Sequence, residues 1–207
     1  GINQVQMHDK IGLNFAASLR SILRQDPDVL LIGEIRDRET ADIAVKFSLT
    51  GHLVFSTVHA NDAPSTITRL LDLGIPPFLL GSSLNLIMAQ RLVRTIDPNE
   101  KEGDNPSEEQ IKRLGLSTEV SSKMKFFKGK PTQSNHNTGY KGRTAIHEIL
   151  EVDSSIREMI FEQRSEYEIR NKAIKNGMTP LREAGIDKID QGISTIEEIL
   201  RATVEEI

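Results

Sequence analysis

Asp26–Asp37 reads DPDVLLIGEIRD. Val29 to Ile32 form a continuous apolar run, with Asp26 and Asp28 before it and Glu34, Arg36 and Asp37 beyond Gly33. A short apolar run between charged flanks predicts a buried strand of a parallel sheet. A carboxylate just past such a strand stands at its carboxyl end, where open α/β sheets bind their ligands. Glu34 is therefore the first candidate site residue, and a solvent-facing acid paired with Arg36 is the plain alternative.

On the amino side, Leu13, Phe15, Ala16, Leu19, Ile22 and Leu23 recur at helical spacing and predict a helix over Gly12–Gln25, stopped by Pro27. Arg20 and Arg24 lie one turn apart on it. Residues 1–10 are an edge strand or a loop. On the carboxyl side the pattern predicts a helix over Ala41–Leu49, closed at Gly51, and a strand over Leu53–Val58. Asp62 or Asn61 can cap a helix over Pro64–Leu73. Residues Phe78–Ile96, apolar on most sides, read as a further helix. This alternation predicts α/β structure with a parallel sheet.

The character changes at Asp97. Residues 97–141 read as an irregular linker. They include Lys123–Lys130, where four lysines surround Phe126 and Phe127. That run could meet phosphates, anionic lipid or an acidic partner, but a solvated loop with one Phe packed is the simpler reading. Thr144–Glu151 is a strand or the start of a helix. Helices follow over Ser154–Gln163, Glu166–Asn176, Pro180–Gln191 and Thr195–Thr203, with capping-box spacing from Ser194 or Thr195. The expected domains are thus 1–96, a linker 97–141, and a small helical domain 142–207.

Composition narrows the class. The chain has 207 residues, 37% hydrophobic and 27% charged, with a net charge of −4. This is a globular balance, and its acidity argues against a nucleic-acid partner. There is no cysteine, which excludes disulfides and thiolate metal sites. No apolar run approaches the ~20 residues of a membrane span. The sequence opens on Gly1 without a signal-peptide pattern and reads as a piece of a longer polypeptide.

Several residues then gain a chemical reading. Strand, glycine and Glu34 have the form of a Walker B element, the acidic strand end that supports Mg²⁺ and the attacking water in nucleotide hydrolases. His52 and His59 bracket the next strand, roughly 23 Å apart along it, so they cannot share a metal. If the strands are parallel, His59 emerges beside Glu34, where an imidazole can donate to a γ-phosphate. His52 reads as structural or coupling. Arg20 and Arg24 carry the permanent planar charge that suits phosphate, in their own site or a neighbour's, although a solvated helix face explains them equally.

Four segments occur in order: SILRQDPDVLLIGEIRDRETADIA (21–44), LTGHLVFSTVHANDA (49–63), SSLNLIMAQRLVR (82–94) and TGYKGRTAIHEIL (138–150). Together they resemble the secretion ATPase superfamily of type II secretion and type IV pilus assembly. The GEIRD form resembles the assembly and secretion branch, and SSLNLIMAQRL is similar to the pilus-assembly members.

The resemblance implies a RecA-like P-loop NTPase core that hydrolyses ATP with Mg²⁺ as a homohexamer. Such a motor works in the cytoplasm at the inner membrane, beside a membrane platform protein. In it Glu34 would be the Walker B carboxylate, His59 the phosphate sensor, and Arg20 and Arg24 arginines reaching nucleotide in cis or trans. Gly33, Arg36, Asp37, His52, Thr57, Gln90 and Arg91 would line the nucleotide site.

The sequence departs from the family at two places. No G-x-x-x-x-G-K-[ST] is present, nor the family's acidic Asp box, so the core is partial and this chain alone is expected not to hydrolyse ATP. Many members also bind zinc through four cysteines, which would fall near Asp97, Glu100, Thr132 and Asn135; no zinc is expected here. A non-catalytic docking module for a membrane platform protein is the alternative, with a nucleic-acid translocase behind it.

Overall fold

The computed structural model describes residues 1–203. In chain order the elements are α1 (Phe15–Ile22), β1 (Val29–Ile32), α2 (Arg38–Leu49), β2 (Leu53–Ser56), α3 (Ala63–Asp72), α4 (Pro77–Ser83), β3 (Leu86–Ile96) and β4 (Lys101–Asp104). Then come α5 (Glu108–Leu114), α6 (Thr118–Ser121), β5 (Phe126–Gly129), β6 (Tyr140–Glu151), α7 (Ser154–Phe161), α8 (Glu166–Lys175), α9 (Leu181–Asp190) and α10 (Ile196–Ala202). No helix among the described residues is long and apolar enough to cross a membrane.

Each boundary near the candidate site has a local cause. Asn14 caps α1 by accepting from Ala17 N at 2.9 Å. The helix tightens into a 3-10 turn over Leu23–Gln25, and Asp26 turns left-handed (φ 49°) just before Pro27. Asp37 caps α2, its Oδ1 accepting from Thr40 N at 2.8 Å and its Oδ2 from Thr40 Oγ1 at 2.9 Å. Of the two cap candidates for α3, the structure selects Asp62, which forms a reciprocal capping box with Ser65.

The chain packs as two compact units, each built from two stretches. One comprises Gly1–Ile87 with Leu150–Lys175; the other comprises Met88–Ile149 with the chain from Asn176. This differs from the three consecutive segments expected. In the first unit β1 and β2 pair in parallel, with Val29 opposite Leu53 and Ile32 opposite Ser56. The expected full burial of β1 gives way to alternation. Leu30 and Ile32 are buried, whereas Val29 and Leu31 are 56% and 72% exposed. Leu53 and Phe55 of β2 are exposed as well, so one face of the pair is uncovered among the described residues. Helix α4 packs on α7 and α3 on α8, around buried Ile67, Leu80, Ile156, Ile160 and Ile169.

The second unit corrects two expectations. Residues 78–96 are not one helix: α4 ends at Ser83 and an 11-residue strand, β3, follows. Its apolar composition carried no decisive period, and pairing with β6 satisfies its backbone instead. Residues 97–141 are not an irregular linker. β4 and β5 form an antiparallel pair from Lys101 opposite Gly129 to Asp104 opposite Phe126. Phe126 packs against the unit's core, and the Lys101 ammonium sits 4.0 Å from the centre of the Phe127 ring.

Where thiolates would lie in relatives, Asp97 and Asn135 are both buried. Asn135 donates to Lys130 O at 3.0 Å and accepts from Thr132 N and Gly139 N at 2.9 and 3.1 Å. These bonds hold the turn after β5, and Asp97 N, donating to Gly139 O at 3.0 Å, ties it to the chain before β4.

The second core gathers Val93, Leu114, Ile146, Leu181, Ile189, Ile196, Ile199 and Leu200. Gly185 lets α9 approach α10: a Cβ there would stand 2.5 Å from Ile199 Cγ2. Gly185→Ala is therefore expected to destabilise this unit by about 1–3 kcal/mol through overpacking, read as a lower midpoint in thermal or urea unfolding. An unchanged midpoint would show that α9 can shift at no cost.

Candidate nucleotide site

Gly33 and Glu34 follow β1, and Thr57 to His59 follow β2. Because the two strands are parallel and in register, both segments leave the sheet at the same end. Two bonds tie them together: Thr57 Oγ1 donates to Gly33 O at 2.6 Å, and Ile35 N donates to Thr57 O at 2.9 Å. The side chains meet accordingly. His59 Nε2 lies 3.3 Å from Glu34 Oε2, and Arg36 Nε donates to the same oxygen at 2.7 Å.

The Arg36 hydrogen bond, aided by the charge of Arg36 and by His59, holds the Glu34 carboxyl below its ordinary value of 4.5. Glu34 is thus an anion throughout the neutral range. The His59 side chain is 83% exposed, against 24% for Glu34. The carboxylate is sheltered and the imidazole faces solvent, an arrangement open to an anionic ligand.

The other expected residues divide. His52 stacks on Phe47 with ring centroids 4.0 Å apart, and its Nδ1 lies 2.9 Å from Thr50 Oγ1. It sits at the opposite end of β2 from His59. Asp37 is committed to capping α2. Arg20 pairs with Glu39 on α2, and Arg24 is exposed on the 3-10 turn; neither bonds to Glu34 or His59. Gln90 Oε1 meets His147 Nε2 at 3.0 Å. Gln90 and exposed Arg91 belong to β3 in the second unit, while Glu34 and His59 belong to the first.

Two ion pairs have no local sequence signal. Arg170 on α8 reaches Asp62, 108 residues away, and Arg94 on β3 reaches Glu198, 104 residues away. The spacing of Thr195 and Glu198 suggests a full capping box. Thr195 does cap α10, but the Glu198 carboxylate turns instead to Arg94 and Arg201.

The parallel β1–β2 pair, with Glu34 and His59 at the same end, agrees with the class that the solved structures show, a RecA-like P-loop α/β fold. The solved pilus retraction motor PilT with bound ADP supports it, with a TM-score of 0.65 and 26% identity over 93% of this chain and 44% of that one. Residues 1–201 match the model of the type II/IV secretion system protein family, and the chain belongs to that family. It is 48% identical to the type IV pilus assembly ATPase PilB of Myxococcus xanthus over 98% of its length. It is 47% identical to the type II secretion system ATPase E of Vibrio cholerae over 99%. It spans only 36% and 40% of the length of those two relatives.

Proposed function

We propose that this chain is the portion of an ATP-hydrolysing motor that supplies the Walker B side of its nucleotide site, in a machine that assembles type IV pili or secretes protein. The observation that carries the reading is the meeting of Glu34 and His59 at one end of the parallel β1–β2 pair, in a chain of this family.

The residues fit a nucleotide with Mg²⁺. An ionised Glu34 can hold water on the ion, and no all-protein cage is required, because Mg²⁺ keeps several waters and is shared with phosphates. Among the described residues no three acidic or histidine side chains form such a cage. When bound, Mg²⁺ supplies charge neutralisation on the phosphates. Glu34 orients the water; His59 donates toward the γ-phosphate and so reports its presence to the loop that leads into α3. Arg20 and Arg24, exposed on α1 and the turn after it, can serve a neighbouring subunit in a homohexamer. The phosphate cradle is supplied outside this sequence, and zinc has no part. The motor works in the cytoplasm at the inner membrane, against a platform protein.

The test is ATP turnover by the full polypeptide. His59→Ala is expected to lower kcat on the order of a hundredfold, the usual cost of losing one donor to developing charge. Turnover at the wild-type rate would overturn the sensing role.

A further inference from the structure

The loop that carries His59 is held at both ends. At its start, Thr57 is bonded to Gly33 and Ile35. At its end, three residues past His59, Asp62 caps α3: its Oδ1 accepts from Ser65 N at 2.9 Å. The other oxygen has a different partner. Asp62 Oδ2 accepts from Arg170 Nη2 at 2.6 Å, and the same nitrogen reaches Glu166 Oε1 at 2.9 Å.

Arg170 and Asp62 are 21% and 14% exposed, so the pair is screened far less than a surface one. Burial pushes the Asp62 carboxyl up, yet Arg170 and Ser65 outweigh it and keep the group below its ordinary value. A helix cap alone needs no such partner, since asparagine caps as well as aspartate. A sheltered arginine that joins this carboxylate to Glu166 of α8 does more than start a helix.

We propose that Arg170 is a positioning residue for the nucleotide site: acting through Asp62, it fixes the loop that sets His59 against Glu34. The inference rests on the reading of Glu34 and His59 given above. It makes α8 part of the support of the site although α8 contributes no group to the chemistry. A displacement of about 1 Å at a reacting group can cost about a hundredfold in rate, so a lost clamp acts on turnover before it acts on folding.

The test uses the full polypeptide, with kcat and KM for ATP measured separately and a thermal melt on each variant. Asp62→Asn keeps the cap and removes the charge; Arg170→Ala removes the partner. Each is expected to lower kcat about tenfold to a hundredfold with KM unchanged. Arg170→Lys recovers part of the loss, and the double variant is no worse than the poorer single one. Wild-type kcat in Asp62→Asn, a rise in KM alone, or losses that multiply in the double variant would overturn the proposal. If Arg170→Ala does not fold, Asp62→Asn and Arg170→Lys decide the matter. Glu34→Gln separates the two layers. If it still turns over, the reading of the site fails; if it is dead while Asp62→Asn is normal, only the clamp fails.

Discussion

Glu34→Gln in the full polypeptide is expected to reduce ATP turnover on the order of a thousandfold while leaving nucleotide binding largely intact. The substitution keeps the shape of the side chain and removes its charge. Arg36 can still donate to the amide oxygen, so the end of β1 keeps its local geometry. What disappears is the anion that we propose orients water and supports Mg²⁺. The site is built to preserve that anion: hydrogen bonding and charge from Arg36 favour the ionised carboxylate, with His59 adding to both. Phosphate release gives the rate, and a fluorescent nucleotide gives the affinity. Loss of affinity equal to the loss of rate would show that Glu34 serves binding and not the chemical step.

Glu198→Gln is expected to lower the stability of the second unit by about 1–3 kcal/mol, the cost of losing charge-assisted hydrogen bonds to a buried carboxylate whose arginine partners still reach solvent. Glu198 is fully buried. Its oxygens accept from Arg94 N and Nε, both at 2.9 Å, and from Arg201 Nη2 at 2.6 Å. The Arg94 guanidinium also lies 4.1 Å from the centre of the Tyr140 ring, whose hydroxyl meets Thr195 Oγ1 at 2.7 Å. The carboxylate thus joins β3 to α10, and Arg94 in turn meets Tyr140 of β6.

Burial pushes the Glu198 carboxyl up, but the Arg201 and Arg94 bonds prevail and lower it from 4.5 to about 2. A group depressed in the folded state contributes stability above its unfolded pKa and loses it as pH falls through the folded one. The contribution, about 3 kcal/mol from the size of this shift, is complete above pH ~4.5 and disappears between there and about pH 2. Urea titrations over that range should show a steeper acid loss in the wild type than in Glu198→Gln. Parallel acid profiles would show that the carboxylate does not hold the unit.

Much of the site was legible in the sequence because its determinants are local. The run from Val29 to Ile32 specifies a strand, Gly33 ends it, and Glu34 must then emerge at its exit. His59 falls at the corresponding exit of β2 once the two strands run parallel. The cap of α3 is likewise short-range.

Where the reading failed, the deciding partner was distant. β3 looked helical because Leu, Met, Ala and Gln suit either state, and β6, some fifty residues on, settled it. The β4–β5 lobe was hidden in a stretch rich in turn formers, since its pairing crosses two short helices.

By itself the sequence determined the two strands, the acid and histidine at their ends, and the family to which the chain belongs. These rest on period, turn chemistry and chain direction, which act over a few residues. The tertiary structure alone decided that residues 150–175 return to the first unit, that Arg170 pairs with Asp62, and that Glu198 reaches beyond its own helix to Arg94. A buried charge must find its opposite wherever the fold presents one, and that energy exceeds the roughly 1 kcal/mol preferences that local pattern expresses.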